Sequence, residues 1–287
     1  MQTKLAIFGF GPITHSIVER LSHLDSQVIC VSDNFQQNPY SEKKIIFLTA
    51  EDLISSRLEA ENVLFSWRSP SPLSEKGFQF QDWFLSRKFH YSKSFHLGSA
   101  SVYASSSEAV DESVTNLDRN LQFNSKFQLE LFCKDLAKLK SASHTNFRIS
   151  NAFGIDLSHG IVSELYKSIR SGTDVRIFSN QGIIRDYISA SDIGIAVSSV
   201  ITNSITAETL NVSTGIGTSI EDLLETFSSL GYSFSDRIVV EASPEIKSES
   251  ILSCALLAKY IDWNPRIFAN SIKADIAKIE HGKNLGH

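Results

Sequence analysis

Apolar positions along the first half of the chain come in two alternating patterns. Short continuous runs, Leu5–Phe8, Val28–Val31, Ile45–Leu48 and Val63–Phe65, have the length and β-branched character of buried strands. Between them lie stretches of helical period. Ile13, Ile17, Val18 and Leu21 repeat on one face, opened by Pro12, whose missing N–H is not needed in a first helical turn. A second helical stretch is expected around Asp52–Leu58. A strand leads into HLGSASVY at 96–103, a long helix covers roughly 118–140, and NFRIS at 146–150 reads as the next strand. Strand–helix alternation of this kind predicts a doubly wound parallel sheet, covered on both faces by helices.

The second half is more mixed. Strands are expected near 174–178, 184–188, 208–212 and 237–241, and helices near 160–171, 191–202, 218–230 and 267–280. No glycine- or proline-rich linker separates the halves. The expected architecture is therefore α/β, with a smaller C-terminal α/β lobe interlocked with the first. Residues 1–151 form mainly one part and 152–287 mainly the other, with about 183–212 returning to the first.

Composition narrows the function classes. Of 287 residues 42% are hydrophobic and 21% charged, with a net charge of −5. That is a globular balance without a basic footprint for nucleic acid. No run approaches the roughly 20 apolar residues that cross a bilayer. The N-terminal MQTKLAIFGFG lacks the apolar core and cleavage site of a signal peptide. Three scattered cysteines, Cys30, Cys133 and Cys254, form no metal-ligand spacing and fit a reducing cytoplasm. Neither a metal, a nucleic acid nor a membrane is expected as a partner.

The segment IFGFGPIT follows a strand and opens a helix, the setting of a dinucleotide fingerprint. Gly9 and Gly11 supply G-x-G, and Pro12 and Ile13 begin the helix. Thr14 stands where a third glycine would be, so the motif is incomplete. Asp33, followed by Asn34, closes the next strand at the spacing where a carboxylate takes the ribose hydroxyls. That carboxylate would repel a 2′-phosphate, which favours NAD over NADP. His15 reads as a packed helix residue and not as a ligand.

With GSASVYA in place the chain, along nearly its whole length, resembles the extended short-chain dehydrogenases/reductases, the NAD-dependent epimerase/dehydratase family. GSASVYA at 98–104, FRISNAFG at 147–154, IIRDYISASDIGIAV at 183–197, LNVSTGIGTSIEDLLE at 210–225 and LAKYIDWNP at 257–265 carry the resemblance in order. The resemblance implies a Rossmann-like fold, NAD as cofactor and a nucleotide-diphosphate sugar as substrate. It implies cofactor contacts at Gly9, Gly11, Pro12, Ile13, Asp33, Asn34, Ser66 and Lys126. It also makes Ser99 the hydroxyl on the reacting sugar oxygen, and sets Asn151, Arg185 and Tyr187 at the substrate. An ion pair between Arg185 and Asp186 is the competing reading. The family's long helix joins a dimer bundle, and Leu129, Phe132, Leu136 and Leu139, with Phe127 and Leu131 on a second face, permit that here.

One position departs from the pattern. The family has Tyr-x-x-x-Lys, and four residues before Lys126 stands Gln122. A phenol exchanges a proton, whereas an amide only donates and accepts hydrogen bonds. Two functions follow. One is an NAD-dependent epimerase or reductase acting through Ser99, Gln122 and Lys126. The other is a protein that binds NAD or a nucleotide sugar without turnover. The aromatic stretch at 67–94 reads as core or dimer surface, and Arg68 either reaches a phosphate or crowds the adenine side.

Overall fold

A computed structural model describes residues 3–21, 27–32, 45–54, 57–66, 82–86, 88–114, 125–178, 182–234, 236–241 and 249–284. Seven parallel strands make the central sheet. They are β1 (Thr3–Phe8), β2 (Val28–Val31), β3 (Ile45–Leu48), β4 (Leu58–Phe65), β5 (Phe89–Ser99), β6 (Ser143–Ile149) and, after three strands outside it, β10 (Thr209–Val212). Their order is β10-β6-β5-β4-β1-β2-β3, every pairing parallel. The sheet is thus the doubly wound, Rossmann-like one expected. Its order reverses between β1 and β4, where such sheets open a crevice at their C-terminal edge.

Alternate residues of each strand feed two cores. Leu5, Ile7, Cys30, Leu64, Phe95, Phe147 and Leu210 face helices α1 (Pro12–Leu21) and α5 (Ala190–Thr202). These two helices cross closely at one point, because a Cβ on Gly194 would lie 2.4 Å from Ser16 Oγ and 3.0 Å from Ser16 O. On the opposite face Ala6, Phe8, Val63 and Phe65 meet Cys133 and Leu136 of α3 (Ser125–Leu139). There Phe8, Phe65, Trp83, Phe84 and Phe89 pack ring against ring. The described part of the aromatic stretch is therefore core, while Trp67, Arg68, Phe78 and Phe80 lie outside the described residues.

The smaller part is built on a second sheet. β9 (Ile184–Ser189) pairs with β7 (Asn151–Phe153), β11 (Gly217–Ser219) and β13 (Glu249–Ser250). A two-stranded sheet joins β8 (Val175–Phe178) to β12 (Ile238–Glu241). Helices α4 (Ile161–Ser171), α6 (Ile220–Ser229) and α8 (Phe268–Asn284) close a third core around Tyr166, Phe227 and Ile272. A short α7 (Ala255–Tyr260) packs beside β10, with Leu257 in the first core.

Several expectations are corrected. The helix anticipated at 52–58 is α2 (Ala50–Ile54), and Leu58 already opens β4. Thr49 and Asp52 set that start, since the Thr49 hydroxyl accepts the Asp52 N–H and the Asp52 carboxylate accepts the Thr49 N–H. The strand expected to lead into 96–103 is β5, which runs from Phe89 to Ser99 and is followed by a 3-10 turn at Ala100–Val102. The buried face of α3 is Glu130, Cys133, Leu136 and Ala137, so Leu139, read as part of an apolar stripe, is 71% exposed. His15 is exposed and meets Phe10 edge-on instead of packing inside.

Candidate functional site

Because all seven strands run in parallel, the segments after β1, β2, β4, β5 and β6 emerge on one edge. Gly9, Ser66 and Asn151 belong to those segments, and Ser99 is the last residue of β5. The Gly9 N–H donates to Val31 O at 2.9 Å, and the Ser66 N–H donates to Phe8 O at 2.8 Å. Gly9 turns the chain at a φ of 89°, a region that suits glycine alone among ordinary residues. Gly11 precedes α1, which Pro12 and Ile13 begin, and the positive end of the helix dipole lies at this edge. A Cβ at Gly11 would meet nothing within 4 Å, so the loop is open to close approach by a phosphate. These residues suit a dinucleotide. Asp33 and Asn34 lie outside the described residues, just after Ser32.

Ser99 and Lys126 are brought together. Ser99 is half-buried and caps the 3-10 turn, its Oγ accepting the Ser101 N–H at 3.2 Å. The Lys126 ammonium donates to the same Oγ at 3.4 Å from the first turn of α3. Gln122 lies outside the described residues. Tyr103 is no substitute for the missing phenol. It is 2% exposed, its hydroxyl donates to Asn211 Oδ1 at 2.9 Å, and burial pushes its pKa up.

A buried ion pair joins α3, which carries Lys126, to β6, the neighbour of the strand that carries Ser99. Glu130, one turn beyond Lys126 on α3, takes Arg148 of β6 through both oxygens, at 2.7 and 3.3 Å. Arg148 is the register partner of Gly98, the residue before Ser99, and its guanidinium lies 4.7 Å over the Tyr103 ring. Nothing in the strand pattern singles out this pair. The available signal was the four-residue spacing from Lys126 to Glu130, with an arginine inside FRISN.

The substrate-side residues form a second group. Asn151 and Tyr187 are register partners across β7 and β9, and Asn151 Nδ2 donates to Asp186 O at 3.2 Å. Arg185 and Tyr187 share one face of β9, two residues apart. Burial lowers the Arg185 pKa and pushes that of Tyr187 up to about 12, with each charge favouring the other's ionised form. Asp186 faces the other way. It is fully buried and accepts from Thr214 N–H, Thr214 Oγ1, Gly215 N–H and Ser150 Oγ. The carboxylate is occupied by these donors in place of the Arg185 ion pair weighed from the sequence. Ser150 directly precedes Asn151, so this cluster ties the end of β6 to β9.

Among the described residues no group of three or more histidine, cysteine, aspartate or glutamate side chains could hold a metal ion, and no helix is long and apolar enough to cross a membrane.

Residues 82–213 match the model of the NAD dependent epimerase/dehydratase family, which bears out the resemblance read from the sequence. By sequence, no curated protein matches the chain. By structure, the chain is similar to a dTDP-glucose 4,6-dehydratase from Bacillus anthracis solved with NAD, with 13% identity, a TM-score of 0.79 and 98% of each chain covered. It is similar to a UDP-glucuronic acid 4-epimerase from Bacillus cereus solved with UDP-glucuronic acid and NAD, with 16% identity, a TM-score of 0.78, and 97% of this chain and 99% of that one covered. A UDP-glucose 4-epimerase from Thermotoga maritima, solved with UDP-glucose, shares 17% identity at a TM-score of 0.75 over 99% of this chain and 100% of that one.

Proposed function

We propose that this chain, which carries the NAD-dependent epimerase/dehydratase family match over residues 82–213, binds NAD and exchanges hydride with a nucleotide-diphosphate sugar. The observation that carries the reading is the contact between Lys126 Nζ and Ser99 Oγ, 3.4 Å, at the C-terminal edge of the parallel sheet. Structural neighbours solved with NAD and with UDP-sugars support the choice of ligands.

In this reading residues 1–151 mainly hold the cofactor and 152–287 mainly the substrate, with 183–212 reaching back. Gly9, Gly11, Pro12 and Ile13 receive the pyrophosphate, Asp33 and Asn34 the adenosine ribose, and Ser66 lines the crevice between β1 and β4. Bound NAD supplies a hydride acceptor. Ser99 orients the sugar oxygen through its hydroxyl, and Lys126 offers three ammonium donors to the ribose and to Ser99. Arg185 takes a phosphate of the sugar nucleotide, and Asn151 and Tyr187 border it. Gln122 serves as a hydrogen-bonding residue where the family has a phenol. The three free cysteines suit a reducing cytoplasm, and the exposed Leu131 and Leu139 of α3 suit a homodimer.

Calorimetric titration with NAD, followed by a panel of nucleotide sugars labelled with deuterium on the ring carbons, tests the proposal. NAD binding with label appearing in the cofactor supports it. Absence of NAD binding would sink it. The second reading, a binding protein without turnover, is favoured by Gln122, since a glutamine has no proton to exchange at neutral pH. NAD binding with no label transfer from any sugar of the panel would select it.

A further inference from the structure

The loop between β1 and α1 contains a feature that the fingerprint does not require. Thr14 replaces the third glycine and is fully buried. Its Oγ1 accepts the Gly11 N–H at 2.7 Å and donates to Gly11 O at 2.9 Å. The same carbonyl also accepts the His15 N–H at 2.8 Å. Gly11 is thus folded back onto the first turn of its own helix. Pro12, the next residue, has no N–H. Two consecutive positions at the mouth of the loop therefore offer no outward donor, one because its N–H is turned inward and one because it lacks one. Yet among the described residues, apart from Gly11 and its chain neighbours, nothing lies within 4 Å of the place a Cβ on Gly11 would take. Space is present beside Gly11, and its N–H is already engaged by Thr14.

We propose that Thr14 sets the affinity for the dinucleotide: its hydroxyl competes with the pyrophosphate for the Gly11 N–H. The inference rests on the dinucleotide reading of this loop. On binding, either the phosphate does without that donor, or the Thr14 hydroxyl gives it up while remaining buried. Both routes weaken the complex by about the net worth of one hydrogen bond, roughly three- to tenfold in Kd. Removing the hydroxyl leaves the Gly11 N–H without its acceptor in the free protein, so the bound pyrophosphate no longer competes with Thr14 for it.

The test is calorimetric titration of the full chain with NAD, using wild type, Thr14→Val, Thr14→Ala and Thr14→Ser. Unfolding midpoints without NAD are measured alongside. Thr14→Val keeps the side-chain shape, and Thr14→Ala gives the same answer should the valine variant fail to fold. The expected result is a Kd about three- to tenfold lower for the hydroxyl-free variants. Thr14→Ser, which keeps the hydroxyl, should stay near wild type. A tightening cannot come from a merely structural loss, which would weaken binding. NAD binding by wild type with unchanged or weaker binding by both hydroxyl-free variants would overturn the role of Thr14 and leave the dinucleotide site standing. No binding by any of the four proteins would overturn the dinucleotide reading and the inference with it.

Discussion

Glu130 and Arg148 form a two-pronged ion pair, 2.7 and 3.3 Å, that joins the helix carrying Lys126 to the strand beside Gly98 and Ser99. Both side chains are about nine-tenths buried. Such a pair contributes little net stability compared with apolar neighbours, but breaking one half leaves a buried charge uncompensated. Glu130→Ala is therefore expected to cost about 3–5 kcal/mol in denaturant unfolding. Glu130→Ala combined with Arg148→Met should recover much of that loss. A double variant no more stable than Glu130→Ala would show that the ion pair is not what the single change disrupts.

Lys126 is exposed at the start of α3, so removing its charge should leave the fold intact. Lys126→Met is expected to weaken NAD binding about tenfold, with the unfolding midpoint unchanged. That magnitude is one charge-assisted hydrogen bond. Equal NAD affinity in the two proteins would remove Lys126 from the cofactor site.

Gln122→Tyr would supply a proton-exchanging group four residues before Lys126. If the sugar-nucleotide reaction is the one proposed, label transfer into NAD should rise by about 10²–10⁴, the usual contribution of a general acid/base. No gain in a variant that still binds NAD would mean that the site has been rebuilt around the amide.

Two buried histidines are expected to make the fold sensitive to acid. Burial, aided by His96 and Lys134, holds the His144 pKa down at about 4, and burial also lowers that of His96. Their unfolded values lie near 6.5. Between about pH 6.5 and 4 the unfolded chain therefore binds protons that the native chain does not. This contribution to stability is complete above about 6.5 and is lost as the pH falls towards 4. His144→Gln should flatten the pH dependence of urea unfolding across that window, and an unchanged slope would exclude His144 as a source.

Asp186→Asn would set an amide against donors from Thr214, Gly215 and Ser150. The expected cost is on the order of 3 kcal/mol, because the carboxylate accepts several bonds that an amide meets with its own N–H groups. Thermal unfolding measures it, and a loss under about 1 kcal/mol would mean that the cluster relaxes.

The central sheet was legible because strands buried on both faces read as continuous apolar runs. Val28–Val31 and Ile45–Leu48 emerge with the boundaries their runs suggest. β7, β11 and β13 were not legible: they are two or three residues long and are defined by pairing with β9. The face of α3 was misjudged because its buried stripe includes Glu130, a charge that only its partner on β6 makes tolerable there. At the site, motif order pointed to Ser99 and Lys126, which do meet. Thr14 was seen only as a missing glycine. Its hydrogen bonds to Gly11 depend on a rotamer that no pattern of residue types encodes.

Strand β10 is the seventh of the central sheet in chain order and lies at its edge, next to β6. Its Asn211 accepts the Tyr103 hydroxyl and donates through Nδ2 to Val110 O and Ser253 O, while its backbone N–H reaches Glu112. The stretch after Ser99 is therefore fastened by a residue made more than a hundred positions later. During synthesis the glycine loop and the first six strands leave the ribosome well before that fastening is available. A fragment ending short of Thr209 would keep the strands that border the loop and lose the pin on the segment beside Ser99. Capacity to hold a nucleotide and capacity to organise the residues around Ser99 would then arise at separate moments in the life of the chain.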